Sequence, residues 1–114
     1  MAADRLRRIN EQLRTILAQE LSRAVELSSG TIVSITQVRT SADLKTATVL
    51  VSILPERCTG SVLHSLQAHM PYFVSAVRQQ VPLRSLPHFR FTVDTTERRA
   101  GKIEALLDSL AKTG

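Results

Sequence analysis

Four side chains in this sequence are soft enough to ligate a transition metal: Cys58, His64, His69 and His88. On one helix, His64 and His69 stand five residues apart, roughly 140° around the axis, and cannot close on one ion as an i, i+4 pair does. They read as surface or rim histidines, so no metal is expected. Ser, His and Asp all occur, but in no nucleophile elbow or recognised order. Glu104 and Asp108 lie one helical turn apart beside Ile103, Leu106 and Leu107, and read as the solvated side of an amphipathic helix. Four scattered glycines form neither a Walker loop nor a dinucleotide fingerprint. These residues describe no enzyme, no cofactor and no small-molecule substrate.

The arginines remain. Lys and Arg number 15 against 10 Asp and Glu, a formal net charge of +5, and most of the cations are Arg. Guanidinium forks onto phosphate oxygens in a way that an ammonium does not. A basic domain of this kind points to a polyanionic partner, most simply nucleic acid. A cationic surface kept for solubility is the alternative that composition leaves open. The candidate phosphate readers are Arg5, Arg7 and Arg8 near the N-terminus, Arg39 and Lys45 flanking a hairpin, and Arg78 on a later helix. Arg84 and Arg90 lie around the last strand, and Arg98 and Arg99 follow it. Aromatic residues make up only 4% and Trp is absent, which weakens any model in which bases stack on an exposed aromatic platform.

Hydrophobic spacing shows what positions these groups. Leu6, Ile9, Leu13, Ile16, Leu17, Leu21 and Ala24 recur at three and four, one stripe of a helix over residues 5–27, with Asp4 as its expected N-cap. Glu20 falls near that stripe and is expected at its rim or paired with an Arg, because a free buried carboxylate costs too much. Ser28-Ser29-Gly30 ends the helix, Gly suiting the left-handed C-terminal position. A β-branched run over 31–39 reads as a strand, and 40–43 as a turn. Over 45–54, Ala47, Val49, Val51 and Ile53 alternate with Thr46, Thr48 and Ser52. Leu50 and Leu54 make the second face partly apolar, the mark of a central strand.

Pro55 stops that strand, and Thr59 or Ser61 is expected to cap a helix carrying Val62, Leu63 and Leu66. Pro71 then marks a kink and a fresh helix over 71–80, bearing Tyr72, Phe73, Val74, Ala76 and Val77. In the final strand Phe89, Phe91 and Val93 face one way and His88, Arg90, Thr92 and Asp94 the other. A helix over 97–112 closes the chain. The order α-β-β-α-kink-α-β-α predicts an α+β fold, its three-stranded mixed sheet covered by helices. The crossover into the third strand is expected to be right-handed, which makes the second and third strands parallel.

At 114 residues one domain spanning 1–114 is expected. The lone Cys58 permits no internal disulfide and fits a reducing compartment. No signal-peptide run follows Met1, and no stretch nears the ~20 apolar residues that span a bilayer. A soluble, cytoplasmic protein without membrane contact is the expectation.

Three segments together resemble the ribosome-binding factor A family. Thr40-Ser41-Ala42-Asp43-Leu44-Lys45-Thr46-Ala47-Thr48-Val49-Leu50-Val51-Ser52 resembles that family's Ser-x-Asp-Leu-x-x-Ala-x-Val-x-Val-Ser. Leu83-Arg84-Ser85-Leu86-Pro87-His88-Phe89-Arg90-Phe91-Thr92-Val93-Asp94 resembles its Leu-Arg-x-x-Pro-x-Leu/Phe-x-Phe-x-x-Asp, and Ile103 followed by Leu106-Leu107 resembles its ending. The resemblance implies a type II KH-like fold. It further implies a monomeric, non-enzymatic factor that binds the small (30S) ribosomal subunit and its 16S rRNA during late maturation and processing, often supporting growth at low temperature. The alternative is a KH-like basic module that binds another RNA or a protein. Two departures stand out. Val25-Glu26-Leu27-Ser28-Ser29 replaces the family's Asp-Pro-Arg-Leu, and the interhelical kink reads His69-Met70-Pro71 where the family has Ala-x-Gly. Close backbone approach through glycine is lost there, so the weight of RNA binding falls on the arginines.

Overall fold

The computed structural model describes residues 2–24 and 30–96. The elements run α1 (Ala2–Ala24), β1 (Ile32–Thr40), β2 (Thr46–Leu54), a 3-10 turn (Glu56–Cys58), α2 (Thr59–Ala68), α3 (Met70–Gln80) and β3 (His88–Val93). The expected α-β-β-α-kink-α-β order is present. The expected closing helix over 97–112, with Arg98, Arg99, Ile103, Glu104 and Asp108, lies outside the described residues.

β2 is central, antiparallel to β1 and parallel to β3. Ala47, Val49 and Val51 are fully buried and Ile53 nearly so, because both neighbours and the helices cover that side. Across the sheet the same side carries Ile35 and Val38 on β1 and Phe89 and Phe91 on β3. α1 packs on β1, α2 on β3 and β2, and α3 on α1. Leu13, Leu17, Leu66, Phe73 and Val77 complete the core. The ring of Phe73 lies 5.5 Å from that of Phe91, joining α3 to the sheet.

β1 departs from simple alternation. Its register shifts between Ile35 and Gln37, which leaves Thr36 as a bulge. The Thr36 hydroxyl donates to Asp94 at 2.7 Å, and the Thr96 amide donates to the same carboxylate at 2.9 Å. Thr96 first, then the Thr36 hydroxyl, the Thr96 amide and the Arg39 charge hold the Asp94 carboxyl at about 2, below its ordinary 3.8. In the β1–β2 turn, the Ser41 hydroxyl and the Lys45 amide both donate to Asp43. The same two groups, Ser41 first, lower the pKa of Asp43. Leu44 adopts φ 60°, an uncommon conformation for a branched residue, and its side chain packs on the core.

Several expectations are corrected at element ends. Asp4 is not an N-cap: α1 begins at Ala2, since two alanines favour helix, and Asp4 sits in the first turn, where its charge suits the helix dipole. Residues 25–29 lie outside the described residues, and Gly30 holds φ 85°, the left-handed geometry expected of it. Neither Thr59 nor Ser61 caps α2. A 3-10 turn precedes that helix, and both hydroxyls donate backward, to the carbonyls of Glu56 and Cys58. β1 extends through Thr40, so the turn begins at Ser41. α3 begins one residue early, at Met70, with Pro71 in its first turn. Glu20 is buried at 7% exposure yet partnered, accepting the Tyr72 hydroxyl at 2.6 Å and standing 3.7 Å from Arg23. That contact raises the Tyr72 pKa, the hydrogen bond to Glu20 being its main cause.

Two outcomes follow from this packing. Phe91→Ala empties a site bounded by Phe73 and β2 and lowers the unfolding free energy in urea by about 3 kcal/mol or more. Asp94 is lowered in the folded state, so its contribution is complete above its ordinary 3.8 and is lost as pH falls toward 2. Asp94→Asn therefore flattens the pH dependence of stability across that window, read by acid titration of urea midpoints. An unchanged acid limb sinks this account.

Candidate nucleic-acid interface

β1 ends, β2 begins and β3 begins at one end of the sheet, the hairpin end. Most of the candidate cations are gathered there. Arg39 pairs with Thr48, and Thr48 with Arg90, so the three form a row across the sheet. Adjacent strands are about 4.8 Å apart, which puts the two arginine backbones roughly 10 Å from each other. Ala47 and Val49 point into the core, so Thr48 and its row must point out. Both arginines are exposed, and Arg39 also donates to Gln37 at 3.3 Å on the same face. Lys45 lies one step beyond, its carbonyl accepting the His88 amide at 2.8 Å. His88 in turn pairs with Thr46.

α1 brings its own arginines to this end. The Asn10 carboxamide oxygen accepts both the amide (2.9 Å) and the hydroxyl of Thr40, pinning the N-terminal half of α1 over the last residue of β1. Arg7, Arg14, Asn10 and Glu11 line a cleft of about 230 Å³ against Thr36, Gln37 and Val38. Arg5 and Arg8 line another, of about 430 Å³, against residues 81–83 of the α3–β3 connection. Arg84 follows directly, and Arg78 stands in the last turn of α3, just before that connection. Pro82 and Pro87 bracket Arg84 in this connection, each fixing the local backbone. Among the described residues, the cations gathered here make no salt bridge; the pair that forms, Arg23 with Glu20, lies further along α1.

The kink lies elsewhere. Tyr72, at the start of α3, bonds Glu20, which is ten residues and roughly 15 Å along α1 from Asn10. Three amides at this turn are spent internally: His69 N–H bonds Ser65 O, while the Tyr72 and Phe73 amides both bond His69 O. Pro71 has no amide hydrogen. His69 Nδ1 also donates to the Ser65 carbonyl at 2.8 Å, so this ring is committed to the turn. His69-Met70-Pro71 thus offers a phosphate little backbone to grip. Among the described residues no group of His, Cys, Asp and Glu could hold a metal. No described helix is long and apolar enough to cross a membrane.

The structure therefore brings Arg5, Arg7, Arg8, Arg39, Lys45, Arg78, Arg84 and Arg90 toward one end and separates them from the kink. Arg98 and Arg99 lie outside the described residues. Sequence reasoning missed Arg14. Its signal is the seven-residue spacing from Arg7, which returns to one helix face after two turns.

Comparison with known proteins gives this arrangement a context. Residues 5–107 match the family model described as ribosome-binding factor A. Proteins of that name from Azorhizobium caulinodans and Beijerinckia indica are 35% and 34% identical to this chain, over 92% and 94% of it and 74% and 78% of their own lengths. The crystal structure of ribosome-binding factor A from Thermus thermophilus superposes with a TM-score of 0.66, over 77% of this chain and 93% of that one, at 24% identity. A Thermus thermophilus homology model fitted into a cryo-electron-microscopy map of a 30S–ribosome-binding-factor-A complex gives 0.63 at 27% identity, over 75% and 90%. The α+β fold described above is the fold of those structures, and the chain belongs to the ribosome-binding factor A family.

Proposed function

We propose that this chain is a non-enzymatic assembly factor that binds the small (30S) ribosomal subunit through its 16S rRNA during late maturation and processing. The observation that carries this reading is the collection of arginines at the hairpin end of a family member's fold that make no salt bridge among the described residues. The related Thermus thermophilus protein, fitted into a map of its complex with the 30S subunit, lends further support. The Arg39–Thr48–Arg90 row tracks one stretch of phosphates, and the α1 arginines and Arg84 meet another around the corner of the sheet. Such contacts position a polyanion without reading its bases. The factor acts as a cytoplasmic monomer and supports growth at low temperature.

Co-sedimentation tests the reading directly. The protein is expected in the small-subunit fraction at low salt when immature subunits are supplied, and to leave it steeply as salt rises. Absence from that fraction under those conditions overturns the proposal. Binding that ignores salt would instead favour a module docking on protein. A second outcome concerns particular side chains. Replacing Arg84 and Arg90 together by Ala leaves the circular-dichroism melt unchanged and weakens rRNA binding, reducing the salt slope by about 1 for each phosphate no longer held. Normal RNA affinity in that variant removes both residues from the interface.

A further inference from the structure

We infer that the cleft between α1 and the α3–β3 connection holds one unpaired nucleotide of the bound RNA, an inference that rests on the function proposed above. The cleft has a volume of about 430 Å³, within the range of small-ligand sites and ample for one nucleotide. Its chemistry is divided in the way a nucleotide is divided. Ile9 and Val81, both nearly buried, and half-buried Leu83 form an apolar wall. Exposed Arg5 and Arg8 supply cations at the rim. Gln12, also exposed, offers a donor and an acceptor to a base edge. Asp4 lines the cleft too, and its carboxylate accepts hydrogen bonds only. It therefore selects against a phosphate at its own position and for the amino group of a base.

No aromatic ring lines this cleft, yet a splayed base also stacks on a guanidinium plane. Arg5 and Arg8 lie three apart on α1, on one face of the helix, so one can cover the base while the other holds its phosphate. The connection is well placed to present the opposite wall. The Val81 amide bonds Val77 O at 2.9 Å, and the Leu83 amide bonds Val81 O at 2.9 Å, a compact turn that fixes Pro82 and Leu83 against α1. An acidic peptide would be drawn by the same cations. Asp4 and the apolar wall favour the nucleotide, a planar apolar body with a single anionic end.

The test uses the full chain, isotopically labelled and followed by amide chemical shifts, with uridine, the four nucleoside 5′-monophosphates and inorganic phosphate as probes. At least one monophosphate is expected to shift residues 4–12 and 81–84 together and to bind more tightly than uridine. Inorganic phosphate should move the arginine side of the cleft without Val81 and Leu83. Arg5→Ala with Arg8→Ala is expected to weaken monophosphate binding about tenfold or more, the scale of one or two phosphate contacts. Arg57→Ala, in the 3-10 turn, should change it less than about twofold, since that side chain does not line the cleft. The same spectra report whether each variant is folded, and all three residues are exposed. Shifts confined to the sheet face overturn the inference. So does a pattern fully reproduced by phosphate alone, or tighter binding of an acidic peptide to the cleft. Because no subunit enters this titration, a cleft that binds monophosphates in a protein that ignores the 30S subunit would sink the proposed function instead.

Discussion

Burial of one side of β2 is the constraint on which everything else in this molecule depends. Ala47, Val49 and Val51 have no exposure to solvent, and each fixes the outward direction of the residue beside it. Antiparallel pairing to β1 and parallel pairing to β3 carry that choice across the whole sheet. A slip of one residue would turn Val49 out and Thr48 in, stranding hydroxyl and guanidinium groups in the core. Arg39 and Arg90 therefore face solvent because Val38, Phe89 and Phe91 are needed underneath. The Phe73–Phe91 contact closes the arrangement by tying the helix layer to the edge strand. Core and candidate interface are two consequences of one register.

Much of this was legible in the chain. The alternation over Thr46–Leu54 marked a central strand, Pro71 marked a break between helices, and the position of Glu20 demanded a partner. The Thr36 bulge was less plain, though its trace is there: Val33 and Ile35 are two apart and Val38 three further, a skipped beat in a period of two. Caps were misread for a chemical reason. A hydroxyl both donates and accepts, and sequence does not say which; at Thr59 and Ser61 the backward carbonyls won over the forward amides. The gathering of the arginines was the least legible part. It depends on Asn10 anchoring α1 over Thr40 and on α3 running back toward the hairpin end, both tertiary facts.

The separation of the arginines from the kink bears on how such a domain can hold RNA. A KH domain that grips through its interhelical loop does so with glycine, which lets backbone amides approach phosphates closely. Here the corresponding turn spends the His69, Tyr72 and Phe73 amides internally, on Ser65 and His69 carbonyls, and Pro71 contributes none. Under the proposed function, the grip on RNA then rests mainly on side chains. Long guanidinium groups tolerate a few ångströms of misfit that a backbone clamp does not, at the cost of ordering several flexible chains on binding.

The aromatic inventory sharpens that conclusion. The chain has three Phe and one Tyr, with no Trp. Phe73, Phe89 and Phe91 are each buried in the core, and the Tyr72 hydroxyl is held by Glu20 on the far side from the hairpin. Among the described residues the outer sheet face accordingly has no Phe, Tyr or Trp ring on which a base could stack, and exposed His88, at its hairpin end, is the one imidazole there. RNA-binding sheets that read sequence use such rings to splay bases apart, whereas a face of Arg, Thr and Gln meets the backbone. Under the function proposed above, an RNA partner is selected mainly by where its phosphates lie, that is, by its folded shape, and base identity enters where the proposed cleft beside the sheet admits a single nucleotide.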